Sequence, residues 1–235
     1  MYRGARAAVI ASREKHVLIA ELLPEKKEVH KMKNIETLMK KATELKAEGL
    51  VEGQISEELN VSSETVTWLL THAETSSTPG PKDISVNWSM IGKSAFRLNH
   101  ISEALSDAIY ETLDSNDCGV DVVVGIALSG LPLASVVATD MAADLAVYTP
   151  SKQMLKMESK KARGNLSSNF SDVKDKECII IDDVVTSGQT LEETVEYLDE
   201  RGAKINAIAV LIDKKGADEI AGVPLVSLLK VIRVN

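Results

Sequence analysis

Two adjacent carboxylates, Asp182 and Asp183, close the apolar run Cys178–Ile181. A short stretch of small and hydroxyl-bearing residues follows: Thr186, Ser187, Gly188, Gln189 and Thr190. These types suit two halves of one ligand. Vicinal carboxylates accept hydrogen bonds from the neighbouring hydroxyls of a sugar. A loop that opens a helix offers unpaired backbone N–H groups and the positive end of the helix dipole to a phosphate. Gly188 lets the backbone approach closely, and Thr186, Ser187 and Thr190 add hydroxyl donors. The combined expectation is a ribose 5-phosphate site. A purely structural reading of part of the string also exists, since Thr190-x-x-Glu193 spells a helix capping box.

Such a site needs a strand to deliver the acids and a helix to receive the loop. Helix and strand patterns alternate from about residue 84 onward. Leu98, Ile101, Leu105, Ile109 and Leu113 mark an amphipathic helix. Val120–Leu128 is a β-branched run, Leu131–Ala143 a helix, and Leu145–Tyr148 a short strand. After Cys178–Ile181 come a turn and the helix 190–202, ended by Gly202. Ala207–Ile212 and Leu225–Val231 supply further strands. Apolar strands alternating with helices predict an α/β domain with a mainly parallel sheet covered on both faces. Ligands of such sheets bind outside the carboxyl ends of the strands. A second loop there, Ser129-Gly130, places small residues and free N–H groups at the start of the 131–143 helix. The long polar stretch 151–176 reads as a flap or a disordered segment.

The N-terminal third is different in kind. Ile35, Leu38, Met39, Ala42 and Leu45 recur at helical spacing. In residues 54–73, Ile55 and Leu59 pair with Val66 and Leu69 across a turn at Asn60-Val61. That is the pattern of a helix-turn-helix. The expected exposed face of its second helix is Ser62, Ser63, Glu64, Thr65, Thr67 and Trp68, whose polar groups could reach phosphates or base edges of double-stranded DNA. A helical hairpin for dimerisation is the alternative. Residues 31–73 hold five lysines against seven glutamates, so the module has no basic surplus. Residues 74–83, rich in Ser, Thr, Pro and Gly, read as a linker, and 74–88 leaves open whether a wing is present. The expected organisation is therefore an extension at 1–31, a helix-turn-helix domain at 32–78 and a ligand-binding domain at 79–235. For 1–31, a translation start at Met32 and a genuine extra helix are equally compatible with the sequence.

Composition narrows the classes. A chain 44% hydrophobic and 26% charged is neither disordered nor fibrous. No apolar run approaches the roughly 20 residues of a membrane span. Two distant cysteines, Cys118 and Cys178, argue against a disulfide scaffold and for a cytoplasmic setting. A net charge of -8 excludes a global basic field, and 3% aromatics exclude stacking platforms for single strands.

Residues 178–193 resemble the phosphoribosyl pyrophosphate (PRPP) motif of the type I phosphoribosyltransferases, and 122–135 resemble that family's pyrophosphate loop. Segment order is most similar to orotate phosphoribosyltransferase, with Lys-Lys-Ala-Arg-Gly at 160–164 where the enzyme's mobile loop has a Lys-x-His-Gly core. The resemblance implies PRPP as ligand, held by Asp182, Asp183, Thr186–Thr190, Ser129 and Gly130. It implies Mg2+ bridging ligand oxygens, with no direct protein ligand to the metal. Three departures stand out. Arg163 replaces the loop His, Ser129 replaces a Lys, and the base-holding signature survives only as Lys93. They imply a sensor without catalytic residues. Lys161 and Arg163 would be loop cations only in the alternative, an active transferase using orotate or a purine base with a helical appendage. A helix-turn-helix ahead of such a domain resembles the archaeal GfcR-type transcriptional regulators. That resemblance implies a cytoplasmic homodimer, away from membranes, that binds promoter DNA and controls sugar-catabolic genes in response to PRPP or a related metabolite.

Overall fold

The computed structural model describes residues 35–72, 83–84, 86–155 and 163–232. Among the described residues three helices come first: α1 (Ile35–Ala47), α2 (Glu52–Leu59) and α3 (Ser63–Thr71). The spacing of their apolar residues explains their packing. Ala42, Leu45, Leu50, Ile55, Leu59, Val61, Val66 and Leu69 form one buried cluster. The turn between α2 and α3 is made by Asn60, whose φ of 53° and ψ of 48° lie in the left-handed region that Asn tolerates. Asn60 N–H donates to the Glu57 carbonyl (3.2 Å) and Val61 N–H to that of Ser56 (3.1 Å). Ser62 caps α3 by accepting from Thr65 N–H at 3.2 Å. The expected helix-turn-helix is thus present.

The remainder is a seven-stranded sheet flanked by helices. In chain order come α4 (Ser89–Gly92), α5 (Ala95–Ser115), β1 (Val122–Ile126), α6 (Gly130–Asp140), β2 (Asp144–Thr149) and α7 (Ser151–Leu155). Then follow β3 (Asn165–Leu166), β4 (Glu177–Val185), α8 (Gln189–Asp199), β5 (Lys204–Asp213), β6 (Glu219–Ile220) and β7 (Val223–Lys230). Strand order is β3-β2-β1-β4-β5-β7-β6. The four central pairings are parallel, and the two edge pairings, β2–β3 and β6–β7, are antiparallel.

Period-two alternation divides the core. Val122, Val124, Cys178, Ile180, Ile208 and Val210 face Leu191, Val195 and Leu198 of α8. Val123, Ile179, Ile181, Ala207, Ala209 and Leu211 face Leu105 and Ile109 of α5 and Leu133 and Val137 of α6. This two-sided burial is why the strands read as continuous apolar runs. Burying one such side chain contributes about 1.5–3 kcal/mol. The helical cluster shares no residue with either sheet cluster, although Glu36–Asn235 form one compact unit.

Several boundaries differ from the sequence reading. β4 does not stop at the acids. It runs on to Val185, because β5 continues to pair with it through Asp182–Val210, Val184–Ile212 and Val185–Asp213. The described parts of 151–176 are not a free flap. α7 follows β2 directly, β3 pairs with β2, and Val173 is fully buried. Among the described residues no strand lies between α3 and α4, so a wing is not among them. The extension at 1–31, most of the linker and Lys161 lie outside the described residues.

Candidate functional site

The acid pair leaves the sheet at the carboxyl end of β4. Strand alternation gives its two members different partners. Asp183 accepts from Trp88 Nε1 (3.0 Å) and from Ser129 Oγ (2.8 Å). Asp182 is buried and accepts from the backbone N–H of Asp183 at 2.8 Å. Burial and, next, the charge of Asp183 hold the Asp182 carboxyl well above the usual carboxylate range, against the opposing pull of Lys152. Both acids line one cavity of 280 Å³, shared with Ser129, Ala127, Gln153, Lys152 and Glu57.

The expected small-residue loop before α6 sits against this pair. A Cβ on Gly130 would meet the Ile181 carbonyl at 2.6 Å and the Asp182 Cα at 2.8 Å. Only glycine fits that close approach of two backbones. Ser129 is exposed and its hydroxyl is committed to Asp183.

The loop 186–190 opens α8 as the spacing predicts. Gly188 is its N-cap, with φ of 87°, and no side chain caps the helix there. Glu193 does not complete a capping box. Its carboxylate instead accepts from Tyr148 OH (2.8 Å), Ser151 N–H (2.9 Å) and Ser151 Oγ (2.7 Å). The open donors at the start of α8 hold a different anion, the carboxylate of Glu57 from α2. Thr190 N–H donates to Glu57 Oε1 at 2.9 Å and Thr190 Oγ1 donates to Oε2. Ser187 Oγ lies 3.1 Å from Oε1, and Lys152 Nζ donates to Oε2 at 2.9 Å. Burial is the largest influence on the Lys152 ammonium and works against it, yet the charge and hydrogen bond of Glu57 together with the charges of Asp182 and Glu58 leave its pKa raised. Around this core Gln54 Nε2 donates to Ser151 Oγ (3.1 Å), and Ser56 Oγ reaches Thr186 Oγ1 (3.4 Å). Gln189 packs over Gly53, where a Cβ would come within 3.4 Å of the Gln189 Cβ.

The structure therefore brings Asp182, Asp183, Ser129, Gly130 and the loop Thr186–Thr190 to one end of the sheet. Arg163 is elsewhere. It is exposed, pairs with Glu200 at 3.4 Å, and lines a neighbouring cavity of 410 Å³ that also takes in Gln189 of the loop, with Glu192, Glu193 and Glu196. Glu57 and Lys152 were missed by sequence reasoning. Glu57 counted only towards the charge of the helical module, and Lys152 only as part of a polar stretch.

On α3, Ser63, Glu64 and Thr67 are exposed, and Ser62 and Trp68 are partly so. Trp68 stacks on His72 with ring centroids 5.1 Å apart. Thr65 is the correction. It is 7% exposed, because it stands four residues before Leu69 and so lies on the core-facing stripe. The base of α3 is tied to the sheet domain through Asp83, which accepts from Ser62 N–H and pairs with buried Lys214 at 3.8 Å.

The phosphoribosyl transferase domain family matches residues 91–221. The chain is 68% identical to the "Transcriptional regulator GfcR" of Methanothrix thermoacetophila over 204 residues, covering 87% of this chain and all of that one. It is 54% identical to "Transcriptional regulator GfcR 1" of Methanosarcina barkeri over 205 residues, with the same coverage. Among solved structures it is similar in fold to the adenine phosphoribosyltransferase of Thermoanaerobacter pseudethanolicus, with a TM-score of 0.51 and 14% identity. That match covers 66% of this chain and 92% of the other.

Proposed function

Because the chain belongs to the phosphoribosyl transferase domain family, and within it to the GfcR transcriptional regulators, we propose that it is a DNA-binding regulator whose sheet domain senses a phosphoribosyl ligand. The observation that carries this reading is the joining, in one compact unit, of a helix-turn-helix and a phosphate-type cradle beside an acid pair. Ser62, Ser63, Glu64, Thr67 and Trp68 form the DNA-facing surface of α3, and two copies in a homodimer read two half-sites. Asp182 and Asp183 take the ribose hydroxyls, Thr186 to Thr190 the 5-phosphate, and Ser129 with Gly130 the pyrophosphate end of PRPP. The hard carboxylate oxygens of Asp182 and Asp183 would suit a Mg2+ ion that arrives with the ligand and would help neutralise its charge. Genes of sugar catabolism are the targets this reading assigns.

We favour ligand sensing over phosphoribosyl transfer. Arg163 is paired with Glu200 and does not line the cavity of Ser129, Asp182 and Asp183, and Ser129 offers a hydroxyl rather than an ammonium to a leaving pyrophosphate. Selecting genomic fragments with the purified protein at about 150 mM salt, with and without PRPP and Mg2+, tests the proposal. Enrichment of promoters sharing an inverted repeat, altered by PRPP, is the expected result. No enrichment in either condition, together with turnover of PRPP on orotate or a purine base, would overturn it.

A further inference from the structure

The Glu57 carboxylate fills the place a phosphate would take. A carboxylate has about four hydrogen-bonding positions. Here they are met by Thr190 N–H, Thr190 Oγ1, Ser187 Oγ and Lys152 Nζ. Two of the four come from the start of α8, where the helix dipole favours an anion. The arrangement is also closed. The Glu57 side chain is 8% exposed and that of Lys152 14%. Neither buried charge is stable without a partner. An incoming phosphate needs these donors, and it can replace Glu57 beside Lys152 without leaving the ammonium unpaired.

Glu57 does not belong to the sheet domain. It sits on α2, the first helix of the helix-turn-helix, and α2 is joined to α3 through Ile55, Leu59, Val66 and Leu69 in one core. Moving Glu57 out of the cradle therefore moves α3 with it. The other hydrogen bonds of this seam among the described residues include Gln54 to Ser151, Ser56 to Thr186, Ser187 to the Gly53 carbonyl (3.2 Å), Lys214 to the Asn60 carbonyl (2.9 Å), and the tie of Ser62 to Asp83.

We propose that Glu57 is an internal competitor for the phosphate subsite, so that a phosphate at Ser187–Thr190 and docking of the helix-turn-helix on the sheet exclude each other. The proposal rests on the reading of that loop as a phosphate site. It supplies what an effector needs in order to act, a difference in affinity between two states. In the docked state α2 is held against the sheet domain and α3 is fixed through it, and in the liganded state the pair is released. By linkage, whatever stabilises the docked state weakens the ligand by the same factor.

Two variants of the full-length chain test this, with ribose 5-phosphate as the calorimetric probe. Glu57→Gln removes the competing charge. It should bind the probe about tenfold tighter than the wild type or better, because apparent affinity is intrinsic affinity reduced by the fraction of open protein. Its DNA affinity without ligand should match that of the ligand-saturated wild type. The second variant needs no change at Glu57. The Cβ separation of 3.4 Å at Gly53 and Gln189 is close to that of a disulfide. In Gly53→Cys/Gln189→Cys the oxidised form should lose probe binding about tenfold or more, and reduction should restore it. Equal probe affinity of oxidised and reduced protein, or of Glu57→Gln and wild type, overturns the competition while leaving the sensing site intact. Failure of wild type, Glu57→Gln and reduced double variant alike to bind the probe overturns the phosphate site itself, and the competition with it.

Discussion

The backbone N–H of Asp183 donates to Oδ1 of Asp182 at 2.8 Å, so the two acids are bound to each other where the chain buries the first of them. Burial and the neighbouring carboxylate raise the Asp182 pKa well above its ordinary 3.8. Between that value and the raised one, the folded chain holds more protons than the unfolded chain. Stability therefore falls as pH rises through the window. Asp182→Asn keeps the Oδ1 acceptor and removes the titration. It should melt higher than wild type at pH 8 and no higher at pH 4. It should also bind ribose 5-phosphate more weakly if this carboxylate takes a ribose hydroxyl. Parallel melting curves at the two pH values, with calorimetry, check both.

Trp88 is the expected positioner of the second acid. Its indole donates to Asp183 at 3.0 Å while its ring packs on the α5–α6 core. Trp88→Phe keeps most of the packing and deletes the donor. A loss of about 1–2 kcal/mol is expected from chemical denaturation, together with weaker binding of the probe.

Gly130 should tolerate no side chain. Its Cβ would fall 2.6 Å from a carbonyl oxygen and 2.8 Å from an α-carbon, and neither can move aside without moving β4. Gly130→Ala should lose about 1–3 kcal/mol and shift the acid pair. Gly216, with nothing within 4 Å of its Cβ position, separates steric from conformational cost. Its φ of +70° makes any loss in Gly216→Ala one of backbone strain alone. Unfolding midpoints of the two variants, with ligand affinity of the first, give the comparison.

Residues on α3 should separate into two classes. Ser63→Ala and Thr67→Ala should weaken binding to a selected operator and leave the melting temperature within about a degree of wild type, since both are exposed. Thr65→Ala should do the reverse. Its buried side chain meets the Ser62 cap at 3.0 Å, so about 1 kcal/mol of stability should be lost. Operator titrations and melting curves on the same preparations distinguish the classes.

What the sequence disclosed was local, and what it withheld was tertiary. Asp182, Asp183 and the Thr186–Thr190 loop announced themselves because one strand, one loop and one helix place them, all within about a dozen positions. The turn at Asn60 was legible for the same reason. The extra length of β4 was hidden, because two adjacent acids look like a strand's end unless the partner strand that pairs with them is known. Thr65 was misplaced by counting polar type ahead of its i,i+4 relation to Leu69. Glu57 could not be read at all. Its partners Ser187 and Thr190 are 130 and 133 residues away, and no periodicity links one helix's glutamate to another helix's first turn.

The three apolar clusters keep to themselves, and what joins the helical cluster to the sheet is carboxylate, ammonium, hydroxyl and amide. Heat capacity follows the kind of surface that is exposed, rising with apolar area and falling with polar area. Parting this seam uncovers little of the first kind, so its enthalpy changes slowly between cold and warm. The enthalpy of undocking is therefore expected to be nearly the same in the cold as in the warm, so that the logarithm of the docking balance plots as a straight line against inverse temperature.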